Sequence, residues 1–245
     1  SFAATTSVAN AQTVANDGIV QLASATRVSD SFQHETEAAT QSIPPQVWKT
    51  LINAGWQVKL AEFVVDAAPS LRGVRPQGWP RHLTWDNSDA VHLPRDRLLV
   101  IAEKRRNRAG EIVASSRVGG VLRHEIGHAY DMVAGGGSRQ ASSSIEFMRA
   151  YQRDESRISA ERRKALGYYL QPGSNGRQEA FAEAFAVVLG GGSSEIKARD
   201  FTSSFPNVIT YIRQVINAPD AVEPKSQPVR VSSQPTYRRR LLRRR

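Results

Sequence analysis

The chain has 245 residues, with 33 Lys plus Arg against 23 Asp plus Glu, a formal net charge of +10 and no cysteine. At 40% apolar and 23% charged residues it can bury a core of useful size, which excludes disorder throughout and fits one large domain, or one domain with tails. The missing thiols exclude disulfides, thiol catalysis and every zinc site built on Cys, so any metal must be held by His and carboxylates.

Along the chain, residues 1–41 are rich in Ala, Ser, Thr and Asn and read as a loosely ordered lead-in. Within it, Ala9-Asn10-Ala11 before Gln12 has the small-x-small pattern of a signal-peptidase site. It is either the stump of a secretory signal, which would make the protein secreted or cell-envelope, or a chance run in an Ala-rich start. Pro44-Pro45 opens a helix carrying Val47, Trp48, Leu51 and Ile52 that Gly55 can end. A strand is predicted from Lys59 to Asp66. From Arg72 to Arg95, Gly and Pro punctuate a mostly loop segment holding Trp79 and Trp85, with one short strand at Val91–Leu93. Arg97 to Glu103 holds an apolar run of strand length, Leu98 to Ala102.

Helices follow: Val118–Ala134, stopped by Gly135-Gly136-Gly137; a long charged one over Ile145–Leu166; Gln178–Leu189, stopped by Gly190 to Gly192; and Pro206–Asn217. Strands followed by helices make an α+β domain over residues 42–218. From Pro219 on, Pro, Ser and Gln dominate and a disordered tail is expected. Seven of the 33 basic residues lie between Arg230 and Arg245 with no acidic residue among them, leaving 26 basic against 23 acidic residues before them. The body is therefore nearly neutral. Arg238, Arg239, Arg240, Arg243, Arg244 and Arg245 would attract a polyanion, but no nucleic-acid fold accompanies them. No run of about 18 uncharged apolar residues occurs, so no transmembrane segment is expected, and the chain reads as a monomer.

The chemistry concentrates in His124-Glu125-Ile126-Gly127-His128. Residues four apart on a helix are about 6 Å apart along the axis and only about 40° apart around it, so both imidazoles can share one metal. Glu125 lies about 100° around from His124, beside such a metal, where it can take a proton from a coordinated water. Gly127 leaves room for another backbone. A third ligand at the metzincin spacing is absent, because position 134 is Ala134, and a second helix must supply it. Glu179 and Glu183 sit four apart on a helix with Phe181, Phe185 and Val188 on an adjacent apolar stripe. One can complete a tetrahedral site while the other accepts the free N–H of a ligating His. Spacing does not decide which is which. His82 and His92 lack a helical partner at metal-binding spacing and read as structural or solvated. Leu98 to Ala102 or Val91 to Leu93 would be the edge that pairs with an extended peptide, and Trp79 and Trp85 shape a subsite or anchor loops.

The two motifs, Val121 to Asp131 and Glu179 to Phe185, together resemble the catalytic domain of anthrax lethal factor and the related Pro-Pro endopeptidases, gluzincin-like zinc metalloproteases. The resemblance covers about residues 75 to 190 and implies a zincin-like fold, a small mixed sheet followed by an active-site helix and C-terminal helices. It implies that His124, His128 and Glu179 bind zinc (Zn2+), that Glu125 is the general base, and that Glu183 lies in the second shell. Asp131 also matches and would orient a ligand or cap local backbone. Those enzymes carry a tyrosine seven residues before the glutamate ligand, but that position here is Pro172. Tyr169, favoured over Tyr168, would then stabilise the oxyanion if Gln171 to Asn175 is a loop insertion. The implied activity is a zinc-dependent endopeptidase acting on a protein or peptide substrate through a zinc-bound water activated by Glu125. The alternatives are a non-catalytic zinc-stabilised binding domain and a polyanion-docking protein working through its Arg-rich tail.

Overall fold

The computed structural model describes residues 14–217, apart from 17–18, 77–78, 137–138 and 194. The Ala9-Asn10-Ala11 pattern and the Arg-rich tail lie outside the described residues. The order of elements is β1 (Val14–Asn16), β2 (Ile19–Gln21), β3 (Ala23–Ser24), α1 (Asp30–Gln41), α2 (Pro45–Asn53), β4 (Gln57–Ala61), α3 (Val64–Ala67), β5 (Ala90–Leu93), β6 (Leu98–Ala102), β7 (Lys104–Arg106) and β8 (Ile112–Ala114). Helices α4 (Val118–Ala134), α5 (Ile145–Glu155), α6 (Ala160–Ala165), α7 (Asn175–Val188), α8 (Glu195–Ser204) and α9 (Pro206–Asn217) complete the chain. This is the expected α+β class with a small mixed sheet ahead of the helices. No helix of the described residues is long and apolar enough to cross a membrane.

The central sheet has the order β3-β4-β6-β5, with β3, β4 and β6 parallel and β5 antiparallel to β6. Strand β6 is apolar along its whole length because both its faces are covered. Leu99 and Ile101 join Val58 and Leu60 in the main core, while Val100 and Ala102 join Val64 and Val91 in a smaller cluster on the opposite face. Leu98 to Ala102 is thus an interior strand, and β5 carries the edge that faces α4. The main core continues beneath α4, which packs against α7, α1, α2 and the sheet.

Three predicted boundaries need correction. The lead-in is not loose throughout: α1 is capped by Ser29, whose Oγ accepts from the Phe32 N–H at 3.3 Å, and it buries Phe32, Thr36, Ala39 and Thr40 against α4. Its buried face is made mainly of small residues, and the two threonines donate to the carbonyls of Gln33 and Glu37, both at 2.7 Å, so burial leaves no hydroxyl unpaired. The strand predicted over Lys59–Asp66 ends at Ala61, where the Phe63 N–H donates to Asp66 Oδ2 at 3.1 Å and turns the chain into α3. The long helix over Ile145–Leu166 is two helices, because Ser159 stands outside α6 as its N-cap, accepting from Arg162 N–H at 3.4 Å. Helix α8 had no counterpart in the sequence reading.

Asp154, fully buried on α5, accepts from the N–H groups of Asn207 at 3.2 Å and Val208 at 2.9 Å and from Asn207 Nδ2 at 2.6 Å. A carboxylate at a helix N-terminus satisfies donors that have no partner inside the helix and complements its dipole. This ties α9 to α5 and closes the helical layer behind α7.

Candidate metal centre and cleft

Helix α4 is buried along Leu122, Ile126 and Ala129, and this fixes the direction in which His124 and His128 project. Their rings lie 4.8 Å apart at 82°. Gly127, between them, is where α7 crosses: a Cβ there would be 2.8 Å from Ala182 Cα and 3.1 Å from Phe185 Cβ. On α7 every residue from Ala180 to Ala186 is buried, and the four alanines among them allow the close approach. Gly127→Ala is expected to force the helices apart and cost about 1–3 kcal/mol of stability, read as a lower melting temperature accompanied by weaker metal binding.

That approach brings Glu179 Oε2 to 3.3 Å from both His124 Nε2 and His128 Nε2. One ligand atom from each of the three residues lies within 4.8 Å of the others, and among the described residues this is the group able to hold a metal ion. Glu179 Oε2 is buried and has hydrogen-bond geometry to neither imidazole. An orphaned carboxylate oxygen facing two imidazole nitrogens is the donor set a zinc ion takes, so the residues fit the group. Burial alone would raise the Glu179 carboxyl, but the two imidazoles outweigh it and hold it below the usual carboxylate range.

Behind His124, its Nδ1 lies 3.0 Å from Glu183 Oε2, and Glu183 is fully buried. A carboxylate only accepts, so Nδ1 donates to it, and Nε2 is on the side of the ring that faces Glu179. Burial works to lower the His124 pKa, but Glu179 and Glu183 beside the ring raise it to about 10. Glu125, half-buried, points into the cleft instead. Burial raises its carboxyl, offset in part by His128 and His124 and reinforced by Glu179.

The cleft in front of these residues has a volume of about 390 Å³. His124, Glu125, Tyr168 and Tyr169 line it, together with Trp79, Asp89 and Ala90 at the start of β5. Trp79 leans on Trp85 with ring centroids 6.0 Å apart.

Comparison with known proteins now decides the family. The sequence of residues 9–197 matches the family described as "Anthrax toxin lethal factor, N- and C-terminal domain". The chain belongs to this lethal factor family. Its fold is that of the solved Pro-Pro endopeptidase PPEP-2 from Paenibacillus alvei, with a TM-score of 0.54, 21% identity, and coverage of 78% of this chain and 94% of that one. No curated protein matches the chain. The resemblance carried by the two helical motifs thus extends over most of the sequence, beginning well before residue 75, and the zincin-like fold class is borne out.

In this lethal factor family member the two candidate tyrosines have different surroundings. The chain turns through Gly167 to Ser174, and Tyr168, 46% exposed, lines the cleft beside His124 and Glu125. Burial and the carboxylates of Glu179 and Glu125 push its hydroxyl upward. Tyr169 is 1% exposed, with its ring 4.8 Å from that of Phe201, and it abuts Glu183 and Ser193 behind the ligands. Adjacent residues in a turn diverge: both tyrosines line the cleft, and Tyr169 also packs into the core.

Of the two roles expected of Asp131, the geometry supports backbone capping. Its oxygens accept from Ser142 N–H at 2.6 Å and Ser142 Oγ at 2.7 Å, pinning the segment after α4. Burial pushes its carboxyl up to about 6, against the opposing pull of Ser142. His92 is structural: its ring stacks between Trp56 at 5.0 Å and His128 at 5.6 Å, and burial, helped by His128, lowers its pKa to about 3. His82 is exposed and lies apart from the metal group. Sequence reasoning missed Ser193, which lines the cleft and bonds Glu183; no motif spacing marks it.

Proposed function

We propose that the protein is a zinc-dependent endopeptidase, with His124, His128 and Glu179 as the metal ligands. The observation that carries this reading is the buried Glu179 Oε2, equidistant at 3.3 Å from two imidazole nitrogens. When bound, zinc supplies Lewis acidity that acidifies water and polarises a carbonyl. Glu125, outside the ligand set and facing the cleft, takes the proton of the attacking water and returns it to the leaving amine. The β5 edge, bare of a strand partner on the cleft side among the described residues, pairs with an extended substrate, whose side chains meet Trp79.

In this reading Tyr168, which lines the cleft, donates its O–H to the developing oxyanion. Tyr168→Phe is expected to lower kcat about 10²–10³-fold with little change in KM, whereas Tyr169→Phe leaves most of the activity. Steady-state kinetics on one peptide separates them, and a larger kcat loss for Tyr169→Phe would return the role to that residue.

The reading as a whole is tested by a chelator-controlled cleavage assay on a peptide library that includes Pro-Pro sequences. Cleavage that stops with chelator and returns with zinc supports it. Stoichiometric zinc without turnover on any peptide would make the domain a zinc-stabilised binder instead.

A further inference from the structure

The segment after α7 reaches the metal centre by a constrained path. Gly190 and Gly191 run at φ 122° and 136°, a region that other residues rarely occupy. Gly192 then lies directly on α4, where a Cβ on Gly120 would overlap its carbonyl oxygen. Two arginines of the α4 region grip this turn. Arg117 Nη2 donates to Gly192 O at 3.0 Å, and Arg123 donates to Gly191 O from Nε at 3.4 Å and Nη2 at 3.3 Å.

The turn delivers Ser193 to Glu183. Ser193 Oγ donates to Glu183 Oε2 at 2.6 Å and its N–H donates to the same oxygen at 3.3 Å. That oxygen also faces His124 Nδ1 at 3.0 Å. A fully buried carboxylate needs several donors to stay ionised and oriented, and Ser193 provides two of the three here. With Oε2 held in place, the Nδ1–H tautomer of His124 is fixed and its Nε2 stays aimed at the metal position.

We propose that Ser193 is a positioning residue for the metal centre, acting through Glu183 on His124, and that Arg117 and Arg123 hold it there through the glycine turn. The inference rests on the reading of His124, His128 and Glu179 as metal ligands.

The test uses the full chain as wild type, Ser193→Ala, Ser193→Thr, Glu183→Ala and the Ser193→Ala/Glu183→Ala pair. Zinc affinity is measured by competition with a chromogenic chelator, and apo-form melting checks folding. Ser193→Ala is expected to weaken zinc binding about tenfold and, at saturating zinc, to lower kcat with KM unchanged. Ser193→Thr, which keeps the hydroxyl, restores both. In the Glu183→Ala background Ser193→Ala adds no further loss, because its route to His124 is gone. An unchanged zinc affinity in Ser193→Ala overturns the proposal. So does an equal further loss in the Glu183→Ala background, or a Ser193→Thr variant that melts like wild type and still binds zinc as poorly as Ser193→Ala. If the wild type itself binds no zinc, the metal-centre reading fails; if it binds and cleaves and Ser193→Ala matches it, the positioning role alone fails.

Discussion

Glu125→Gln is expected to retain one zinc per chain and to cleave peptide between about 10² and 10⁴-fold more slowly than wild type. The two halves of this result come from separate features of α4. Metal retention follows because Glu125 is absent from the group whose ligand atoms converge, and because the amide fills the same volume in the same half-buried position. Loss of turnover follows because the amide cannot accept the proton that the attacking water must give up. Metal content and kcat/KM measured on the same preparation check both halves. A variant that loses zinc would make Glu125 a ligand, and one that keeps full activity would move the base elsewhere, with Asp89, which also lines the cleft, the next carboxylate to try.

What the sequence disclosed depended on how strongly each element advertised its packing. Helix α4 and strand β6 were legible because they are buried on more than one side, so their apolar runs are long and their ends are marked by glycine or charge. Helix α1 was hidden for the opposite reason. Three of its four buried residues are Thr36, Ala39 and Thr40, which read as polar or small in sequence, and the two threonines become core because their hydroxyls bond backward along the helix. The break between α5 and α6 was equally invisible, since a charged helix face looks the same whether it is continuous or interrupted by a serine cap.

The site divides along the same line. His124, Glu125 and His128 are fixed to one another by helical geometry, and a three-letter motif contains it. Gly127 told of a close backbone neighbour but not which one; the neighbour is Ala182, one residue before Glu183. The choice between Tyr168 and Tyr169 turns on the conformation of a turn, where a one-residue step changes exposure from 46% to 1% while both residues line the cleft. Ser193 depends on three consecutive glycines and two arginines far away in sequence, an arrangement with no periodicity to detect.

The assignment of the two glutamates on α7 is the point at which geometry most exceeds sequence, and its test carries the other large effect. Both carboxylates project from one face, four residues apart, and either order is compatible with the spacing. The structure separates them by which nitrogen each meets. Glu179 Oε2 stands before the Nε2 atoms of both imidazoles at 3.3 Å, whereas Glu183 Oε2 stands behind one of them, at Nδ1 of His124, 3.0 Å away. Since Nδ1 and Nε2 lie on opposite sides of the ring, one carboxylate can share a metal with His124 and the other can only orient it. Glu179→Ala is therefore expected to lose zinc on dialysis against a chelator, because two imidazoles remain where a tetrahedral site needs a third protein ligand. Glu183→Ala is expected to keep zinc with affinity weakened about 10–100-fold, the usual cost of removing a group that orients a ligand. Zinc content after graded chelator challenge distinguishes the two. If Glu183→Ala comes out empty while Glu179→Ala holds its metal, the carboxylates exchange roles, and the side of His124 that faces the cleft would have to be the one now assigned to its buried hydrogen bond.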